Sequence, residues 1–156
     1  MDLMVGAKHA DEALARLFED KNFVAFSYEG IFVLRFESPG PVRVTRLEIF
    51  ADWWIGKLDC WGEMRNHLPL EIGANDWQTP YMAARLATLI GRPVIDAIAS
   101  DSGQLTIRFT SGDPVVIDGR APDWEFSWYA SPENDDRRFF ANCDSSGTLY
   151  SRAPTT

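Results

Sequence analysis

Val33-Leu34-Arg35-Phe36-Glu37-Ser38-Pro39-Gly40-Pro41-Val42-Arg43-Val44 aligns without a gap, at an offset of 73 positions, with Thr106-Ile107-Arg108-Phe109-Thr110-Ser111-Gly112-Asp113-Pro114-Val115-Val116-Ile117, and five of the twelve pairs are identical. Each stretch reads as two strands of β-branched and aromatic residues around a turn of Ser, Pro, Gly and Asp, chemistry that interrupts a helix. The agreement extends outward. Leu14-Ala15-Arg16-Leu17 matches Leu86-Ala87-Thr88-Leu89 at an offset of 72, and Asp52-Trp53 matches Asp123-Trp124 at 71. Agreement in both order and spacing points to a pseudo-symmetric duplication, and two copies are too few for a solenoid.

Around this core of the reading, apolar periodicity predicts a helix over 10–20, with Ala13, Leu14, Leu17 and Phe18 on one face and Asp11 and Glu12 in its first turn. Strands are expected at 23–28, 31–36 and 42–50, and 53–58 extends or follows the third. Residues 62–76, with Pro69, Gly73 and Asn75, have the mixed composition of a connector. A second helix is expected from about Pro80 to Gly91, followed by strands at 94–99, 105–109, 115–117 and 124–130. The fold expected is α+β: two pseudo-repeats, about 10–60 and 78–130, each one helix packed on an antiparallel β-meander. They form one compact domain over 1–156, with a C-terminal hairpin at about 139–151.

A chain of 156 residues, 46% hydrophobic and 24% charged, can bury a core that needs neither disulfide nor metal. No apolar run approaches the roughly 18 residues of a membrane span. Asp2 stands where a signal peptide needs basic charge, so the cytoplasm is the expected compartment. Fifteen Lys and Arg against 23 Asp and Glu give a net charge of −8, which repels phosphate backbones and argues against direct nucleic-acid binding. The excess is concentrated: residues 113–136 hold Asp113, Asp118, Asp123, Glu125, Glu133, Asp135 and Asp136 against Arg120. Such a stretch is either a solvated edge or a docking surface for a basic partner.

The search for chemistry is short. His9 and His67 stand in no zinc or calcium spacing, and Cys60 and Cys143, 83 positions apart, form no paired metal or redox motif and read as small buried hydrophobes. No nucleophile elbow surrounds a serine; Ser145 and Ser146 read as turn residues. The glycines lack phosphate-cradling spacing, so no nucleotide cofactor is implied. Glu48, Asp52, Asp59, Glu63, Asp123 and Glu125 lie near tryptophans, as in many glycosidase clefts. With 23 acids and six tryptophans in the chain, surface placement accounts for that proximity. No catalytic residue, metal or cofactor is assigned, and the expectation is a protein that is not an enzyme.

The tryptophans carry more. Trp53 and Trp54 are adjacent in an extended segment, so they point to opposite faces and one of them needs a second layer or a partner. Trp61 joins that cluster. Trp124, Phe126 and Trp128 alternate, which predicts one shared, core-facing side.

One resemblance bears on function. The segment 94–117, with Asp101-Ser102-Gly103, Leu105, Ile107, Phe109 and Gly112, followed by Trp124-Glu125-Phe126, is similar to strand patterns of bacterial immunity proteins, which neutralise polymorphic or contact-dependent toxins. It covers about a third of the chain. The resemblance implies stoichiometric inhibition of a cognate toxin, often a basic nuclease, by a small acidic domain without catalytic residues. The partner-binding residues expected on this reading are Trp53, Trp54 and Trp61 as anchors, with Asp118, Asp123, Glu133, Asp135 and Asp136 steering the encounter. The alternatives are a small-ligand or carbohydrate-binding module with a tryptophan-lined groove, and a minor enzyme using the carboxylates named above.

Overall fold

The computed structural model describes residues 2–39, 43–57, 78–133 and 139–154. The expected connector at 62–76, and with it Cys60, Trp61, His67, Asp59 and Glu63, lies outside the described residues, as do Asp135 and Asp136. In chain order the elements are β1 (Met4–Val5), α1 (Ala7–Leu17), β2 (Asn22–Tyr28), β3 (Phe32–Glu37), β4 (Val44–Ile49), β5 (Trp53–Ile55) and α2 (Gln78–Ala87). Then come β6 (Val94–Ala99), β7 (Leu105–Phe109), β8 (Val115–Ile117), β9 (Phe126–Pro132), β10 (Phe140–Asp144) and β11 (Leu149–Arg152). The fold is a mixed α+β arrangement with antiparallel pairing throughout the two sheets. Among the described residues no helix is long and apolar enough to cross a membrane.

One sheet has seven strands in the order β1-β11-β10-β9-β4-β3-β2, the other four in the order β5-β8-β7-β6. Two meanders, β2-β3-β4 and β6-β7-β8, lie in different sheets, and each receives its next neighbour from the other half of the chain. β4 pairs with β9, and β8 pairs with β5. The meanders touch where Asn22 bridges Pro93, with Phe23 N–H donating to Arg92 O (3.1 Å) and Val94 N–H donating to Lys21 O (2.8 Å).

The first hairpins of the two meanders share a register. Phe23 faces Phe36 and, after a bulge, Ala25 faces Arg35; Val94 faces Phe109 and, after a bulge, Asp96 faces Arg108. Gly30 and Gly103, in the corresponding turns, have φ of 84° and 88°, a region that costs an L side chain strain. The likeness ends at the second hairpin. Glu37 pairs with Val44, whereas Ile107 pairs with Val115, so the gapless alignment of the sequence does not survive the turn.

Helix placement also departs from expectation. Gly6, at φ 107°, starts α1 at Ala7, so no acid lies in its first turn. Asp11 instead accepts a hydrogen bond from Ala99 N–H (2.8 Å), occupying a donor of edge strand β6. With Ala10, Ala13, Leu14 and Leu17 inward, α1 packs chiefly on β6, β10 and β11, more than on its own meander. Thr45 Oγ1 ties the helix end to β4 by donating to Leu17 O (2.5 Å). A single hydrophobic cluster holds Leu14, Phe23, Phe36 and Leu47 together with Leu86, Leu105, Ile107, Ile117 and Trp128.

Candidate acidic and aromatic face

β9 decides what the seven-stranded sheet shows to solvent. Its register against β10 shifts between Trp128 and Phe126, and Ser127 O accepts from both Phe50 N–H and Ala51 N–H, each at 3.0 Å. A bulge of this kind changes which face the next side chain takes. The expectation that Trp124, Phe126 and Trp128 share the core is therefore corrected. Trp128 is fully buried and its Nε1–H donates to Gly103 O (2.8 Å), whereas Phe126 is half-buried beside Tyr129 and Trp124 is 48% exposed.

On this outer face the Phe50 ring lies 5.4 Å from that of Trp124 and 6.4 Å from that of Phe126, and Phe126 meets Tyr129 edge-on at 5.2 Å. Glu48, Phe50, Trp124, Glu125, Phe126 and Tyr129 line a groove of about 380 Å³. Antiparallel register builds its floor: Glu48 stands opposite Tyr129, and Tyr129 opposite Asn142. Ala141 and Cys143 face the core, so Asn142 between them faces outward. It is 5% exposed, and its Oδ1 has no hydrogen-bond partner. Arg46 Nε lies 3.4 Å from Glu48, while Glu125 is exposed with no ion-pair partner among the described residues.

The residues expected to bind a partner do not form one face: Trp53, Trp54 and Asp118 meet where β5 pairs with β8, whereas Glu133 lies past the end of β9. Trp53 is 5% exposed, its ring perpendicular to that of Phe32 at 5.1 Å, so it is a core residue. Trp54, on the other side of β5, is half-buried and packed against the same cluster. Asp118 is half-buried; its Oδ1 accepts from Arg120 N–H (3.1 Å) and its N–H donates to Asp52 O (2.8 Å). Asp123 is exposed beside Trp124. Glu133, past the far end of β9, accepts from Arg35 at 2.5 Å. Trp61, Asp135 and Asp136 lie outside the described residues.

Sequence reasoning had Trp124 in the core and Glu48, Asp123 and Glu125 only as acids near tryptophans. The signal for the groove was present in Trp128-Tyr129: adjacent aromatics on a strand cannot share a face. In the β10–β11 turn Asp144 Oδ1 accepts from Ser146 N–H, Ser146 Oγ–H and Thr148 N–H, while Ser145 N–H donates to Glu125 O (3.1 Å). Cys143 is enclosed, and burial, with Asp144 nearby, pushes its thiol up to about 11, which keeps it protonated and unreactive near neutrality. No family model matches the chain, and no curated protein and no solved structure matches it.

Proposed function

We propose that the protein is a non-catalytic, protein-binding inhibitor of the immunity type, neutralising a cognate bacterial toxin with a basic, nuclease-like domain. The observation that carries this reading is the groove itself. It is an aromatic surface with Trp124 half in solvent, with Glu48 and Glu125 in its lining and the exposed Asp123 next to Trp124 in the chain. Exposed tryptophan is costly on a lone protein and typical of interface anchors. Acids around it raise the encounter rate with a basic partner.

The test is co-expression with the product of each neighbouring gene, co-purification of any complex with a toxin domain, and kinetic measurement of that complex. Replacing Asp118 and Asp123 together by Asn should slow association and flatten its dependence on ionic strength. Trp124→Ala should leave association nearly unchanged and raise the dissociation rate by about thirtyfold, the roughly 2 kcal/mol of a hot spot. An association rate insensitive to salt would reduce the acids to a solubilising edge.

A second reading is favoured by the groove volume. About 380 Å³ suits a small ligand, and a sugar ring stacked on Trp124 would make the protein a carbohydrate-binding module. We also infer that the two meanders descend from one duplicated helix-and-meander unit. The matched bulges, the matched turn glycines and the reciprocal hydrogen bonds across Asn22 and Pro93 support that descent.

A further inference from the structure

We infer that the groove is a socket for an arginine side chain, the anchor of a basic partner loop; this rests on the protein-binding reading above and names what that partner inserts. The charge of the lining is one-sided. Glu48 and Glu125 present carboxylate acceptors, and no Lys or Arg is among the lining residues. A ligand matched to this surface is rich in donors and carries positive charge. A sugar, being uncharged, leaves both carboxylates without a counter-charge.

Shape separates guanidinium from ammonium. The Phe50 ring lies 5.4 Å from that of Trp124 and 6.4 Å from that of Phe126, both in tilted pairs, providing apolar planes beside the carboxylates. A guanidinium is planar, weakly hydrated and able to stack on such a ring while its edge takes a carboxylate through two parallel N–H bonds. A lysine ammonium is a compact, strongly hydrated point charge and gains less from the aromatic walls. Glu125 is the expected bidentate acceptor, being exposed and without an ion pair among the described residues, whereas Glu48 already has Arg46 at its side.

The probe needs no toxin: acetyl-Gly-Arg-Gly-amide is titrated into the isotopically labelled protein, alongside the lysine peptide, the isosteric and uncharged citrulline peptide, and methyl glucoside. The Trp124 indole N–H, assigned through Trp124→Phe, should shift with the arginine peptide at millimolar concentrations. The citrulline peptide should bind about tenfold more weakly or not at all, and the lysine peptide should fall between them. Glu125→Gln should lose most of the arginine response with the spectrum otherwise unchanged, a control that reports folding and binding in one experiment. Equal binding of the citrulline peptide, tighter binding of the glucoside, or a Trp124 signal that does not move overturns the socket. A toxin complex indifferent to both Trp124→Phe and Glu125→Gln also overturns it while leaving the inhibitor reading standing. An arginine socket in a protein that does not protect against the toxin overturns the inhibitor reading alone.

Discussion

The hairpins β2-β3 and β6-β7 are alike down to the residue at which each bulges, yet the strands that follow them, β4 and β8, take registers that differ and neighbours of unequal size. β4 has six residues and pairs with the seven-residue β9; β8 has three and pairs with the three-residue β5. The first hairpins follow local rules: alternation, a turn glycine with positive φ, and one bulge ahead of Arg35 or Arg108. The second strands answer to what arrives from elsewhere in the chain. Their outer faces differ accordingly. Around β4 and β9 lies the acidic, aromatic groove, whereas the outer face of β6 and β7 carries Asp96, Arg108 and the exposed Ile95 and Ile98. Similar scaffolding thus presents two outer faces of different chemistry, an acidic aromatic groove of about 380 Å³ on one and a smaller groove of about 240 Å³ beside the Asp96–Arg108 pair on the other.

The strongest test of the comparison removes the matched aromatics, Phe36 and Phe109. Both belong to one cluster, and Phe23 touches both, at 5.3 Å and 6.4 Å between ring centres. Phe36→Ala and Phe109→Ala should each cost about 3 to 5 kcal/mol in urea unfolding, with Phe36 the larger because it also meets Phe18 edge-on at 4.9 Å. A loss under about 1 kcal/mol at Phe109 would mean that the second meander does not share the core of the first.

A smaller effect separates the two turn glycines. A Cβ at Gly30 meets nothing within 4 Å, so Gly30→Ala should cost only the left-handed backbone strain, about 1 to 2 kcal/mol. At Gly103 the same atom would sit 2.5 Å from Cys143 Sγ and 2.8 Å from Gly147 O. Gly103→Ala should therefore lose roughly 1 to 3 kcal/mol beyond Gly30→Ala, as overpacking in a closed site does. Thermal unfolding of the two variants side by side checks it, and equal losses would remove the steric distinction between the turns.

What could be read in advance follows the same division. β6, β7 and β8 were legible to the residue, because strand alternation and turn glycines are local. The exchange of β5 and β9 between meanders was not, because no local pattern says which edge a strand will meet. α1 was placed three residues late: Ala7, Lys8 and His9 offer little apolar periodicity, and the helix begins where Gly6 permits it. Two-residue β1 is too short for any period to show. The site was legible in its composition, acids beside tryptophans, and hidden in its geometry, since the bulge at Ser127 sends Trp128 inward and leaves Phe126 on the outer face with Tyr129. The same non-local placement left Trp53 in the core, where an exposed anchor was expected.

The smallest difference between the meanders lies at the arginine each places after its bulge. In β7, Arg108 is answered within its own hairpin by Asp96, through Nε–H to Oδ1 at 2.8 Å and a second bond from Nη2 to Oδ2. In β3 the facing residue is Ala25, and Arg35 turns instead to Glu133 beyond β9. The Arg108 hydrogen bonds hold the Asp96 carboxyl below its ordinary value of 3.8. A carboxyl depressed in the folded state adds stability that is present above 3.8 and is lost as the pH falls through the folded value. Because Asp96 faces solvent, the loss on Asp96→Asn should stay under about 1 kcal/mol at pH 6 and shrink toward zero in strong acid. Urea titrations of the two proteins at several pH values between these limits should converge on the acid side. A gap that persists undiminished in strong acid would mean that Asp96 acts by packing against β7 and not through its charge.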